Sequence, residues 1–119
     1  MKKTLVIGAS AKPDRYAYIA TVMLGEYKHE VYPFGLKEGA IENVAIKTIW
    51  PTETDFDTVT LYLNKQNQKE YTDKIIALKP KRVIFNPGTE NVEFENTLRE
   101  KGIEALEACT LVLLRTGQF

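Results

Sequence analysis

One stretch, Thr4-Leu5-Val6-Ile7-Gly8-Ala9-Ser10-Ala11-Lys12-Pro13-Asp14-Arg15-Tyr16, restricts the possible folds more than any other part of the chain. Its first four residues read as a buried strand. Gly8 ends that strand, because glycine tolerates the backbone angles and the close approach of a sharp turn. Ala9, Ser10 and Ala11 are small and leave the loop backbone open to a bulky group. Pro13 and Asp14 stand where a helix begins, and a periodic apolar pattern starts at Tyr16. A strand, a small-residue loop and a helix N-terminus together form an anion site: unpaired N–H groups converge there and the helix dipole favours negative charge. Lys12 and Arg15 add mobile positive charge at the same place. The expected ligand therefore carries phosphate.

The rest of the chain is consistent with one α/β domain over residues 1–119. After the loop, Tyr16, Ala20, Met23, Leu24 and Tyr27 recur at helical spacing and predict a face packed on a sheet, Tyr16 excepted because it stands in the first turn beside the expected ligand. Residues 29–35 read as a second strand, with Pro33 forcing the chain out of the ladder because it has no N–H. Residues 44–46 offer a short extended piece. Residues 58–63, β-branched and aromatic, are the third strand, and Asn64 ends it. A helix with Tyr71, Ile75 and Leu78 inward stops before Pro80. A fourth strand at 82–85 runs into Asn86-Pro87-Gly88. Thr89 or Asn91 caps the next helix, which buries Phe94 and Leu98 and closes at Gly102. Residues 103–108 are a weaker fifth strand, and 110–119 fit either a short helix or an edge strand.

Strands alternating with helices imply a parallel sheet covered on both faces, with a ligand crevice at the carboxyl ends of the strands. Three such ends carry special residues: Gly8-Ala9-Ser10, Pro33-Phe34-Gly35 and Asn86-Pro87-Gly88. Composition argues against other partners. The 16 basic and 16 acidic residues cancel, so no long-range field attracts nucleic acid. The apolar runs are too short for a membrane span, and no leader segment is read at the start. A single cysteine, Cys109, excludes an internal disulfide and any cysteine-rich zinc site. A cytoplasmic protein is expected.

The glycine spacing G-x-G-x-x-G of dinucleotide sites is absent, and residues 32–34 place no acid at the end of the second strand to meet a ribose 2′-hydroxyl. A flat Pro-Phe-Gly corner suits an adenine face instead. Here the sequence resembles the small single-domain CoA-binding proteins, similar to the CoA-binding domain of succinyl-CoA synthetase α subunits. The likeness rests on Gly8-Ala9-Ser10, Lys12-Pro13-Asp14-Arg15-Tyr16, Pro33, Asn86-Pro87-Gly88 and Cys109-Thr110. It implies a Rossmann-like, doubly wound, three-layer α/β/α fold with about five parallel strands in the order 3-2-1-4-5. It also implies coenzyme A, or an acyl-CoA, lying across the first loop. Adenine would then lie near Pro33 and Phe34, and the pantetheine arm would run toward Asn86, Pro87 and Gly88. Asn64, at the same edge, joins the candidate contacts, and Lys37 or Lys12 is placed to meet the 3′-phosphate.

No catalytic constellation emerges from the residues. His29, the only histidine, opens the second strand at the edge away from the crevice, and the phosphohistidine of the synthetases belongs to a domain outside this sequence. Cys109 reads as a small buried hydrophobe rather than a thiol facing CoA. Glu90, Glu93, Glu95 and Glu100 read as a first turn and a wet helix face, and Lys79-Lys81-Arg82 as a solvated turn. The favoured function is thus a CoA-binding or regulatory module with no metal, open to a protein partner or self-association. The alternative is a nucleotide-dependent enzyme, NAD(P)-linked or a ligase-like subunit needing a partner.

Overall fold

In the computed structural model, which describes residues 1–119, all four side chains of β1 (Thr4–Ile7) are buried. A strand covered on both faces must lie inside a sheet with helices above and below it. The chain supplies them in the order α1 (Tyr16–Glu26), β2 (Val31–Phe34), β3 (Gly39–Ile41), β4 (Val44–Ile46), β5 (Thr58–Leu61), α2 (Lys65–Gln68), a 3₁₀ turn at Lys69–Tyr71, α3 (Thr72–Leu78), β6 (Arg82–Phe85), α4 (Val92–Glu100), β7 (Glu104–Glu107) and α5 (Thr110–Arg115). Five strands form one parallel sheet ordered β2-β1-β5-β6-β7, with Val6 opposite Pro33 on one side and Thr60 on the other. The fold class is the expected Rossmann-like α/β arrangement. Its strand order is corrected. Numbering the five strands as read from sequence, it runs 2-1-3-4-5 rather than 3-2-1-4-5, because the strand at Thr58 pairs with β1 and not outside β2.

The outer side of β2 is instead occupied by the antiparallel hairpin β3–β4. A single parallel bridge, Phe34 to Lys47, ties it to the sheet edge. Lys47 N–H donates to Pro33 O at 2.8 Å and Gly35 N–H to Lys47 O at 3.0 Å. Pro33 therefore stays inside β2, contrary to the sequence expectation. Odd-numbered residues of β2 turn their backbone outward, so its missing N–H falls on the edge, where proline is tolerated.

Alternation along the strands divides the core. Leu5, Ile7, Val59, Leu61, Val83 and Phe85 face α3 and α4, where they meet Ile75, Leu78, Phe94 and Leu98. Val6 faces the other way, toward Ala17 and Leu24 of α1 and Leu114 of α5. The buried face of α1 is Ala17, Ala20, Thr21 and Leu24. Tyr27, expected inward, is 46% exposed, and Tyr16, in the first turn beside the loop, is 70% exposed. Small residues win this face because α1 lies close to both β1 and α5.

Two further sequence readings are corrected. Arg82 is buried, not solvated; its guanidinium donates to Thr58 Oγ1 at 2.8 Å and to the Phe119 backbone oxygen at 2.6 Å. Glu95 is buried rather than on the wet face, because its carboxylate accepts the Asn91 N–H and closes a capping pair with the Asn91 side chain. The ambiguous segment 110–119 is helical at α5. No helix of the protein is long and apolar enough to cross a membrane.

Candidate functional site

The loop after β1 is held in place from below. Gly8 has φ +97°, and a Cβ there would lie 3.0 Å from the Tyr62 carbonyl oxygen. The N–H groups of Gly8 and Ala9 both donate to Phe34 O, at 3.0 and 2.9 Å. Gly35 lies so close that a Cβ on it would sit 2.5 Å from Ala9 O. The Pro-Phe-Gly corner thus serves as the seat of the loop. Above that seat the backbone donors are unspent. Ser10 and Ala11, and Tyr16, Ala17 and Tyr18 at the start of α1, have no acceptor for their N–H groups within the protein. Arg15 is the N-cap residue, its side chain makes no cap bond, and the first turn holds no acid. The positive end of an 11-residue helix is therefore left uncompensated.

A cleft of about 740 Å³ opens over this loop. It lies where β1 and β5 part, the point at which successive crossovers run to opposite sides of the sheet. The loop and α1 form one wall and Leu36, Lys37 and Glu38 form another. The third is made of Tyr62, Leu63, Asn64 and Asn67 after β5 with Pro87, Gly88 and Thr89 after β6. Lys12, Arg15 and Lys37 all line it, and none of the three makes an ion pair within the protein. Exposed Tyr16 and Leu36 flank the mouth, at 70% and 81% exposure.

Of the residues singled out from sequence, the cleft brings together Gly8, Ala9, Ser10, Lys12, Arg15, Tyr16, Asn64, Pro87 and Gly88. It leaves out four. Pro13 stands exposed beside the loop without lining the cleft, and Pro33 and Phe34 are buried beneath it. The Phe34 ring makes edge contacts to Trp50 and Tyr71 at 5.1 and 5.6 Å, which fix it as part of the support under the loop. Asn86 is a strut: its amide donates to Thr60 Oγ1 and Leu61 O and accepts from Thr110 N–H, which ties β5, β6 and α5 together. Sequence reasoning missed Leu36, Glu38, Tyr62, Leu63, Asn67 and Thr89. Only the pair Asn64 and Asn67, spaced as a helix cap at a strand end, carried a signal for them.

The remaining chemically capable groups lie off the cleft. His29 accepts the Lys2 N–H at Nδ1, 3.0 Å, and packs on Phe119 at the opposite edge of the sheet. Burial lowers its pKa, and the positive amino terminus, Lys2 and Arg82 lower it further. Cys109, half-buried, begins α5 as its N-cap and does not line the cleft. Tyr62 does line it, but its hydroxyl is buried beside Thr60 and Thr110 without a hydrogen-bond partner. That burial pushes the phenol up to about 12.

Comparison with known proteins agrees with this architecture. Residues 2–115 match the family model for a CoA binding domain. A crystal structure of an uncharacterized protein is 50% identical and superposes with a TM-score of 0.97, covering 100% of this chain and 98% of the other. A hypothetical protein from Pyrococcus horikoshii OT3 is 25% identical with a TM-score of 0.85, covering 97% and 82%. Aspartate dehydrogenase from Thermotoga maritima, 16% identical with a TM-score of 0.60 and coverage of 89% and 45%, shares the fold alone. No curated protein matches the sequence significantly.

Proposed function

The chain belongs to the CoA binding domain family, and from that premise we propose that its cleft holds coenzyme A or an acyl-CoA, the protein acting as a non-catalytic binding or regulatory module. One observation carries the reading. The unspent N–H groups of Ser10, Ala11, Tyr16 and Ala17 and the unpaired cations Lys12, Arg15 and Lys37 converge on one cleft. A pyrophosphate supplies the negative charge this set lacks. The 3′-phosphate falls to Lys37 or Lys12 at the rim, and the pantetheine arm follows the groove toward Pro87 and Gly88. The side chains lining the cleft bind and orient. The thiol of Cys109 and the imidazole of His29 stand elsewhere, and the Tyr62 phenol is held protonated far above neutral pH.

Glu38 favours a second reading. It lines the cleft four residues beyond β2, where a carboxylate can accept from a ribose 2′-hydroxyl, as in an NAD site. A thermal-shift panel separates the two. A ligand of the native state at about 100-fold its Kd stabilises by about 2.7 kcal/mol. CoA and acetyl-CoA are expected to raise Tm by several degrees, with dephospho-CoA and NAD well behind. An equal or larger shift with NAD would overturn the CoA reading.

A further inference from the structure

The two outer layers of the sandwich are unlike. On one side, α3 and α4 turn Asp73, Lys74, Glu93, Arg99 and Glu100 to water, as helices with one wet face should. On the other side, α1 and its neighbour α5 have almost no charge to show. No residue from Tyr16 to Gly25 is charged, nor any from Thr110 to Leu114, in a chain of which 27% is charged. The sheet takes Ala17, Ala20, Thr21 and Leu24 of α1. Helical spacing then sets Ile19 and Val22 on the opposite side, with Tyr18 and Met23 beside them. All four are only half-buried, and Val112 of α5 is 51% exposed. A helix that is apolar on every side belongs in an interior, and this fold gives α1 one covered face.

The charge at the ends of α1 says what the other face meets. Its first turn holds no acid and its last turn no base, while Glu26 stands at the negative C-terminal end. Glu26 is exposed and makes no ion pair within the protein. That carboxylate is misplaced for its own helix and well placed for an antiparallel copy of it. A two-fold axis crossing α1 between Ala20 and Thr21 sets Ile19 opposite Val22 of the second copy and Tyr18 opposite Met23. The same axis brings each Glu26 to the uncompensated positive end of the other α1. Arg15 adds to that positive end while its side chain lines the cleft. A parallel copy would instead face Glu26 with Glu26.

We propose that this face is the seat of a homodimer, in which two α1 helices pack antiparallel about a two-fold axis with α5 along the flank. Such an interface must be self-complementary, and one axis position satisfies the apolar pairs and the charges together. The inference is independent of which ligand fills the cleft.

Sedimentation of the full chain without ligand, across a dilution series, tests this. The wild-type protein should shift with concentration from 13.5 kDa toward twice that mass. Val22→Glu puts a carboxylate into each half of the seam and should leave only monomer, with an unchanged circular dichroism spectrum. Val112→Glu, at an exposed position on the flank, should weaken the dimer, and Val92→Glu, 63% exposed on α4 in the other layer, should leave it intact. Glu26→Lys should weaken the dimer roughly 3- to 10-fold, since two rim contacts are reversed in sign. A wild-type protein that stays monomeric at every concentration would overturn the proposal. So would a dimer that survives both Val22→Glu and Val112→Glu, or one that dissociates in Val92→Glu. A dimer tightened by Glu26→Lys would overturn the antiparallel arrangement.

Discussion

Gly35 and Gly25 form a matched pair on which the same substitution, glycine to alanine, should act with opposite sign. A Cβ on Gly35 would sit 2.5 Å from Ala9 O, a backbone atom, and 3.1 Å from Ile46 Cγ2. The Ala9 carbonyl would have to retreat by at least 0.5 Å to reach a separation of 3.0 Å. It is not free to do so, since the N–H of Ala9 is fixed on Phe34 O and Gly35 is itself bonded to Lys47. The φ of Gly35 lies outside the left-handed region, so the steric contact is the whole cost. Overpacking of this kind costs about 1–3 kcal/mol, offset by about 0.4–1 kcal/mol from the stiffer unfolded chain. Gly35→Ala should therefore destabilise the protein by about 1–2 kcal/mol. Gly25 lies in α1 with nothing within 4 Å of its added Cβ, so Gly25→Ala should stabilise by about 0.5–1 kcal/mol. Urea unfolding of both variants gives the two values directly. Because the loop over Gly35 presents the Ser10 and Ala11 amides, calorimetry should also show CoA affinity falling on the order of 10-fold in Gly35→Ala, the loss of one hydrogen bond to a charged group, and unchanged in Gly25→Ala. A Gly35→Ala variant as stable as Gly25→Ala would refute the claim that the corner is a tight seat for the loop.

Arg15→Ala should weaken CoA roughly 10- to 150-fold, the worth of a hydrogen bond to a charged group, with the apo melting temperature unchanged because Arg15 makes no cap or ion pair; wild-type affinity by calorimetry would mean the amides hold the phosphate alone. Tyr62→Phe removes a buried hydroxyl that has no partner, so unfolding should show a variant at least as stable as the parent; a loss above about 1 kcal/mol would reveal a bond to that oxygen. His29 has a pKa below its ordinary 6.5 in the folded protein. The unfolded chain therefore takes up the proton first, and the contribution of neutral His29 is complete above pH 6.5 and lost as pH falls toward the lower folded value. His29→Asn should remove that part of the pH dependence, measured as stability against pH, and an unchanged slope would sink the assignment.

Much of the site was legible because its signals are local. Gly8 at a strand end, small residues after it and a helix start signalled by Pro13 and Asp14 are sufficient, through backbone geometry alone, to lead the reading to an anion loop. The roles of Phe34 and Asn86 were not legible in the same way. Both stand at strand ends, where ligand contacts are expected, yet Phe34 is committed to Trp50 and Tyr71 and Asn86 to Thr60, Leu61 and Thr110. Those partners lie 16 to 37 and 24 to 26 residues away in the chain, beyond the reach of any pattern in neighbouring residues. Leu36 and Glu38 were passed over for the converse reason: they belong to a segment without periodicity, and only the hairpin that follows turns them toward the cleft.

The sequence by itself determined the α/β class, the run of strands and helices, and the sharp, small-residue turn of the first loop into a helix. Each follows from periodicity, capping and backbone freedom within about a dozen residues. The tertiary structure decided the strand order, because whether the segment at Thr58 returns to β1 or passes outside β2 depends on what already occupies the outer edge, and here that is the hairpin bridged through Lys47. It also decided which strand-end residues face the cleft and which are consumed as its supports. Packing makes that choice, because a side chain near the cleft is available to a ligand only when no distant part of the fold has claimed it.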